Sequence, residues 1–216
     1  MSRSIPRAWF APLLALSLAW PSSAVEETPP ANLTAEELLE HPAEHIGESI
    51  VLTVQFESKV ESWNPFVTRF GSGDFSAWGG WSDTQFPWRE SDFKAPLIRV
   101  FARHESPVEW ALASAETYDR YALTCRVSSV FANRPWLEVI AAKPLLRGVG
   151  EGSVMHATRG LEFIEKGAWL AAVGEFERAS NGPLHEAART ELERLSEYCR
   201  SKLPLELYRP LDQKQR

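Results

Sequence analysis

The sequence predicts an α+β protein: a small, mostly antiparallel β-barrel followed by a C-terminal helical hairpin and a capping helix. Three observations carry that prediction. From residue 49 to 60 the apolar Ile50, Leu52, Val54, Phe56 and Val60 alternate with Thr53, Gln55, Glu57 and Lys59, the period-two pattern of a strand with one face in a core. The same alternation returns at 121–131 and 137–141. After the Gly-rich joint Gly148-Val149-Gly150-Glu151-Gly152 the apolar spacing becomes helical, so strands give way to helices at that point.

Residues 1–24 read as a secretory signal. Arg3 and Arg7 form a positive start, an apolar run extends from Trp9 to Trp20, and Ser22-Ser23-Ala24 places small residues where a signal peptidase cuts, which makes Val25 the expected mature start. Roughly 12 apolar residues broken by Pro12 fall short of the ~20 needed to span a bilayer, so no stable membrane span is expected after cleavage. The protein is therefore expected to be exported, periplasmic or secreted. The signal holds two of the 23 basic residues and none of the 29 acidic ones, so the remainder carries 21 minus 29, or −8. That sign, with no run of Lys and Arg after Arg7, argues against a nucleic-acid partner.

Residues 25–48 read as a linker and a short helix. Pro29-Pro30 keeps the chain extended, and Thr34-Ala-Glu-Glu37 is a capping box whose hydroxyl and carboxylate each satisfy a free amide, opening a helix that Pro42 ends near His41. The barrel is expected over 49–147. Its first strand is 49–60. A second is read around Pro65–Phe70, and a third over 96–103, with Leu97, Ile98, Val100 and Phe101. Ser106-Pro107-Val108-Glu109 reads as another capping box, starting a helix that runs to about Ala115. Tyr121, Leu123, Cys125, Val127 and Phe131 mark the fourth strand. Asn133-Arg134-Pro135 makes a turn, and Leu137, Val139 and Ala141 supply the inward face of the fifth.

The order strand, strand, strand, helix, strand, strand resembles the OB-fold, and Pro42-Ala-Glu-His45-Ile-Gly47 leading into Ile50 is similar to the entry of OB-like domains of the anticodon-binding type. The resemblance covers about residues 42–142 and implies a partly closed Greek-key barrel with its binding face on the second and third strands.

Residues 153–204 read as helices. His156-x2-Arg159-Gly160-x2-Phe163, Gly167, Ala172-x3-Phe176 and Ala179 resemble a single tetratricopeptide repeat. Gly160 and Ala172 let two helices touch, while Phe163 and Phe176 fill the space between them. His156 and Arg159 stand where that family has large apolar residues. A further helix, about Leu184 to Leu203, shows Ala188, Leu192, Leu195 and Cys199 on one face, and residues 205–216 are a tail. One repeat cannot bury its own apolar face, so the unit is expected to dock on the barrel or on a partner. The resemblance implies protein contact, with Arg159, Glu162, Lys166, Trp169 and Arg178 as groove residues away from the Phe163–Phe176 seam.

The most unusual segment is the Trp-rich insertion expected at 63–94. Within 63–88 it holds Trp63, Trp78, Trp81 and Trp88, with Phe66, Phe70, Phe75 and Phe86 and the glycines of 71–73 and 79–80. Rings at such density form either a satellite core or a ligand surface. For the second case Trp63, Phe66, Trp78, Trp81 and Trp88 are the ligand-contact candidates. No catalytic constellation and no metal pattern is evident. Ser72 lacks a nucleophile elbow, His104 has no base-like setting, Asp74, Asp83 and Asp92 are too widely spaced for a calcium loop, and the two Cys and five His form no zinc motif. Cys125 and Cys199 read as two buried thiols or as a bridge between the halves. The expectation is a non-catalytic exported binding or scaffold protein with a protein or glycan partner and no cofactor; the alternative is a carbohydrate or cell-wall module, with or without hydrolysis, built on the Trp-rich insertion.

Overall fold

The computed structural model describes residues 30–146 and 148–204. The expectations for the signal, for 25–29 of the linker and for the tail lie outside the described residues. Among the described residues, no helix is long and apolar enough to cross a membrane.

After a two-residue strand β1 (Ala31–Asn32), Thr34 caps helix α1 (Ala35–Glu40). Its hydroxyl accepts the Glu37 amide at 3.2 Å, and the Glu37 carboxylate accepts the Thr34 amide at 2.8 Å. Both halves of the expected capping box are present. A 3-10 turn, Pro42–His45, leads into β2 (Ser49–Val60). Strands β3 (Phe75–Trp81) and β4 (Ile98–Arg103) follow, with helix α2 (Glu90–Lys94) between them. Helix α3 (Pro107–Ala113) precedes β5 (Arg120–Phe131) and β6 (Arg134–Leu145).

The strands pair in the order β2-β3-β4-β6-β5, and β5 returns to β2, closing a five-stranded barrel. Every pair is antiparallel except β4–β6, which is parallel and only two rungs long, Val100↔Leu137 and Phe101↔Glu138. That circuit, with a helix between the third and fourth barrel strands, is the Greek-key order of an OB-like barrel. Ile50, Leu52, Val54, Phe56, Trp78, Ile98, Val100, Leu123, Cys125, Val127, Leu137 and Val139 fill it, and Leu38 of α1 packs among them.

The alternating pattern holds until a bulge breaks it. In β2 the register slips between Phe56 and Ser58, which turns Val60 to the outer face. In β5 it slips between Val127 and Ser129, and Phe131 is left exposed. In β6 Val139 faces Cys125 but Ala141 faces Thr124, so Ile140 is the extra residue; Ala141 is exposed and Ala142 reaches the core instead. An added residue reverses every later side chain, which corrects the inward assignments of Val60, Phe131 and Ala141.

The second strand is also corrected. Residues 61–74 form a loop, and the strand is 75–81, inside the stretch read as an insertion. Its Gly79-Gly80 argued against a strand, yet strand pairing demands Gly80. A Cβ on Gly80 would collide with Val54, and one on Gly79 would lie 2.6 Å from the Glu57 carboxylate.

Three helices complete the chain: α4 (Glu151–Glu165), α5 (Trp169–Ser180) and α6 (Glu186–Ser201). Helices α4 and α5 touch where Gly160 leaves room; a Cβ there would fall 2.5–2.9 Å from the Phe176 ring. Ala172 and Phe176 are fully buried at that seam. Across it, His156 Nδ1 meets Glu175 Oε2 at 2.7 Å, a polar tie in place of the apolar contact the sequence lacks. The helical core is not self-contained. Phe86 and Trp88, from the β3–β4 connection, lie inside it with Val149, Val173, Leu184, Leu192 and Leu195, so the helices dock on the barrel through that connection.

Candidate functional site

The Trp-rich segment divides its rings among different cores. Trp78 points into the barrel at 1 % exposure. Trp81, fully buried, stacks on Phe93 and Tyr118 at centroid distances of 5.7 Å on both sides, and its indole N–H donates to the Asp92 carbonyl at 2.9 Å. Trp88 stacks on Phe86 at 5.0 Å within the helical core. Trp63 is half-buried; its N–H donates to the Phe70 carbonyl at 2.6 Å and its ring meets Phe101 edge-on at 5.5 Å. Phe66 alone is fully out in water, at 94 % exposure. The five ligand-contact candidates are therefore not brought together. Trp78, Trp81 and Trp88 have no free ring face, because a strand and two packing seams already use them.

The face that an OB-like barrel offers to ligands, on β3 and β4, is covered by the chain itself. Phe75 and Ala77 of β3, Phe101 of β4 and Trp136 of β6 point outward, and Val60, Trp63, Val67 and Phe70 pack over them. Phe70 stacks on Phe101 at 4.5 Å. Period-two reading places Phe101 outward. The 61–74 loop folds back on it, the satellite-core reading of this segment.

One cluster has the residue types of a hydrolase, and it ties β3 to the start of α3. The Ser76 hydroxyl donates to Glu109 Oε1 at 2.6 Å, and His104 Nδ1 lies 2.8 Å from the same oxygen. His104 Nε2 faces the Ser72 carbonyl at 3.2 Å, and the Glu105 amide donates to Glu109 Oε2 at 2.7 Å. Both imidazole nitrogens thus face acceptors. Ser76 Oγ also lies 3.3 Å from His104 Nδ1. The carboxylate joins β3 to the start of α3. Ser106 still caps α3 by accepting the Glu109 amide at 3.1 Å, but the Glu109 side chain goes to these partners and leaves the reciprocal half of the box unmade.

The hydroxyl of Ser76, then His104, holds the Glu109 carboxyl at about 2, well below its ordinary 4.5. The Glu109 hydrogen bond raises His104 above its ordinary 6.5. The carboxylate's contribution to stability is full above pH 4.5 and is lost as pH falls toward 2. The imidazolium's contribution is full below pH 6.5 and is lost as pH rises through the elevated value. Thermal melts between pH 2 and 4.5 are expected to show a steeper loss in the native chain than in Glu109→Gln; parallel curves would refute the pairing.

Cys125 sits mid-strand in the barrel core, where burial pushes its thiol up to about 12. Cys199 lies in the helical core. Both are free thiols, which is the first of the two readings. Asp83 forks with Arg120, with Nε–Oδ1 at 2.9 Å, and Asp92 accepts the Phe86 amide at 3.0 Å. Among the described residues, no group of His, Cys, Asp or Glu is placed to hold a metal.

Of the helical candidates, Arg159, Glu162, Lys166 and Arg178 are exposed, and Trp169 is half-buried. Lys166 pairs with Glu162 at 4.0 Å, and Arg178 pairs with the buried Glu175. Trp169 meets Tyr198 of α6 edge-on at 6.0 Å. Tyr198 is 43 % exposed with the Lys202 ammonium 5.1 Å over its ring, and the adjacent Leu170 is 61 % exposed. Leu170 and Tyr198 were not singled out from sequence. For Leu170 the signal was present: a large apolar residue on the side of α5 opposite the Ala172–Phe176 seam.

Fold and surface define an OB-like barrel carrying an appended helical unit. No protein-family model matches the chain, and no curated protein matches it. A solved structure described as an aspartyl-tRNA synthetase from Leishmania major Friedlin is similar over 76 % of this chain and 34 % of that one, with 8 % identity and a TM-score of 0.37. The chain spans about a third of that structure's length. The barrel assignment rests on strand order and closure.

Proposed function

We propose that the chain is a non-catalytic binding or scaffold protein, exported from the cytosol, that meets a protein partner through its helical unit. The observation that carries this reading is the surface around Trp169 and Tyr198. There an edge-to-face aromatic pair stands beside exposed Leu170 and the Lys202 ammonium. Trp and Tyr with an apolar neighbour and a charged rim are the composition of protein-interface hot spots. The exposed charges of Arg159, Glu162, Lys166 and Arg178 supply specificity more than affinity. The tetratricopeptide-like hairpin, with its Gly160–Phe176 contact, agrees with a role in presenting such a surface.

A photo-crosslinking residue at Leu170, introduced in producing cells, is expected to yield one discrete protein adduct in the exported fraction. Trp169→Ala with Tyr198→Ala should reduce that adduct at least tenfold while the melting temperature stays within a few degrees. Absence of any adduct from Leu170, Arg159 and Arg178, or an adduct that survives the double substitution, would overturn the assignment.

A further inference from the structure

Residues 183–185 join the three helices. The Pro183 carbonyl accepts the Gly150 amide at 3.2 Å, where α4 begins, Leu184 lies in the helical core, and His185 opens α6 as its N-cap. Ser, Thr, Asp and Asn are the usual N-caps, and none of them titrates near neutral pH. Here the acceptor is an imidazole. His185 Nδ1 accepts the Ala188 amide at 3.4 Å, so the single proton of the neutral ring sits on Nε2, which is buried and meets no acceptor among the described residues. The whole residue is 3 % exposed.

This cap exists only while the ring is neutral. A second proton must go to Nδ1, where it takes the lone pair that holds the Ala188 amide. It also sets a cation at the positive end of a 16-residue helix. From the barrel side, the charges that reach the ring are Asp83, in the β3–β4 connection, and Arg120, at the start of β5. Asp83 favours the imidazolium, but its carboxylate is already forked to Arg120. Within the helical unit, Glu151 of α4 and Glu186 of α6 are exposed, and Arg189 turns back to the Ser180 carbonyl at 3.5 Å. Burial, against the pull of Asp83 and with the repulsion of Arg120, holds the ring below its ordinary 6.5. We infer that His185 is an acid-sensitive catch, which fastens the start of α6 against the barrel while neutral and loosens the helical unit when protonated. Its contribution to stability is full above pH 6.5 and is lost as pH falls through the lowered value, with local opening growing up to about tenfold per pH unit. His156, the other histidine of the helical unit, faces Glu175 at 2.7 Å, a contact that protonation does not break.

The test is amide hydrogen exchange of the full chain at pH 7.5 and pH 5.0, corrected for the intrinsic pH dependence of exchange and read by segment. Amides of α6 and of 86–89 are expected to exchange at least about fivefold faster at the lower pH, while those of β2 and β5 keep their protection. His185→Asn, a cap that does not titrate, should abolish the difference, and His156→Gln should leave it in place. His185→Ala lacks the cap and should exchange rapidly in α6 at both pH values. Equal protection of α6 at the two pH values in the native chain would overturn the proposal. So would a difference that survives in His185→Asn, or loss of protection in β2 and β5 in step with α6, which would mark acid unfolding of the whole chain.

Discussion

Trp88→Ala is expected to lower the melting temperature by about 10 °C or more and to split a single transition in two. Loss of a buried aromatic costs about 3–5 kcal/mol, and each kcal/mol corresponds to about 2–4 °C in a chain of this size. The split follows from position. Trp88 leaves the barrel connection and enters the helical core, where it is 2 % exposed and stacked on Phe86. Beside it Arg89 pairs with Glu191 of α6. Without the indole, the helices lose their seat while the barrel ladder remains intact. Circular dichroism at 222 nm should therefore fall before the near-ultraviolet barrel signal, and Trp88→Phe should restore most of the loss. Coincident transitions, or a shift under about 2 °C, would show that the helices fold without this anchor.

Trp78→Ala is expected to cost a similar amount, with the opposite pattern. Trp78 lies on β3 with its ring among Leu52, Val100 and Leu123, so a cavity there weakens the barrel on which both the covering loop and the helical unit rest. All probes should shift together by about 10 °C or more. The comparison also decides between satellite core and ligand surface for this residue. A ligand-contact role for Trp78 predicts a nearly unchanged melt, whereas its burial predicts collapse of stability. Helical signal lost ahead of the barrel signal in this variant would contradict the assignment of Trp78 to the barrel core.

Much of the architecture was legible from residues alone, and the exceptions share a cause. Thr34 and Ser106 announced their helices because a cap is a local contract between neighbours. Ile50 to Phe56 announced β2 because one face meets a core and the other meets water. Gly160, Ala172 and Phe176 announced the α4–α5 contact by size. Strand β3 was hidden because Gly80 is needed by Val54 and the Gln55 backbone, on another strand. The outward turn of Val60 and Phe131 was hidden because a bulge leaves no mark in composition. The Trp-rich segment gave the number of rings but not their destinations, which depend on three cores assembled from distant parts of the chain.

The sharing of Phe86 and Trp88 between the barrel connection and the helical core bears on biosynthesis. Arg89 and its partner Glu191 are 102 residues apart. At about 5–20 residues per second a ribosome needs roughly 5–20 s to cover that distance. Throughout that interval a nascent barrel would display two unclaimed aromatic rings, a natural handle for a chaperone. It follows that a truncation after β6 would leave both rings exposed and would be expected to aggregate even with its strand ladder intact.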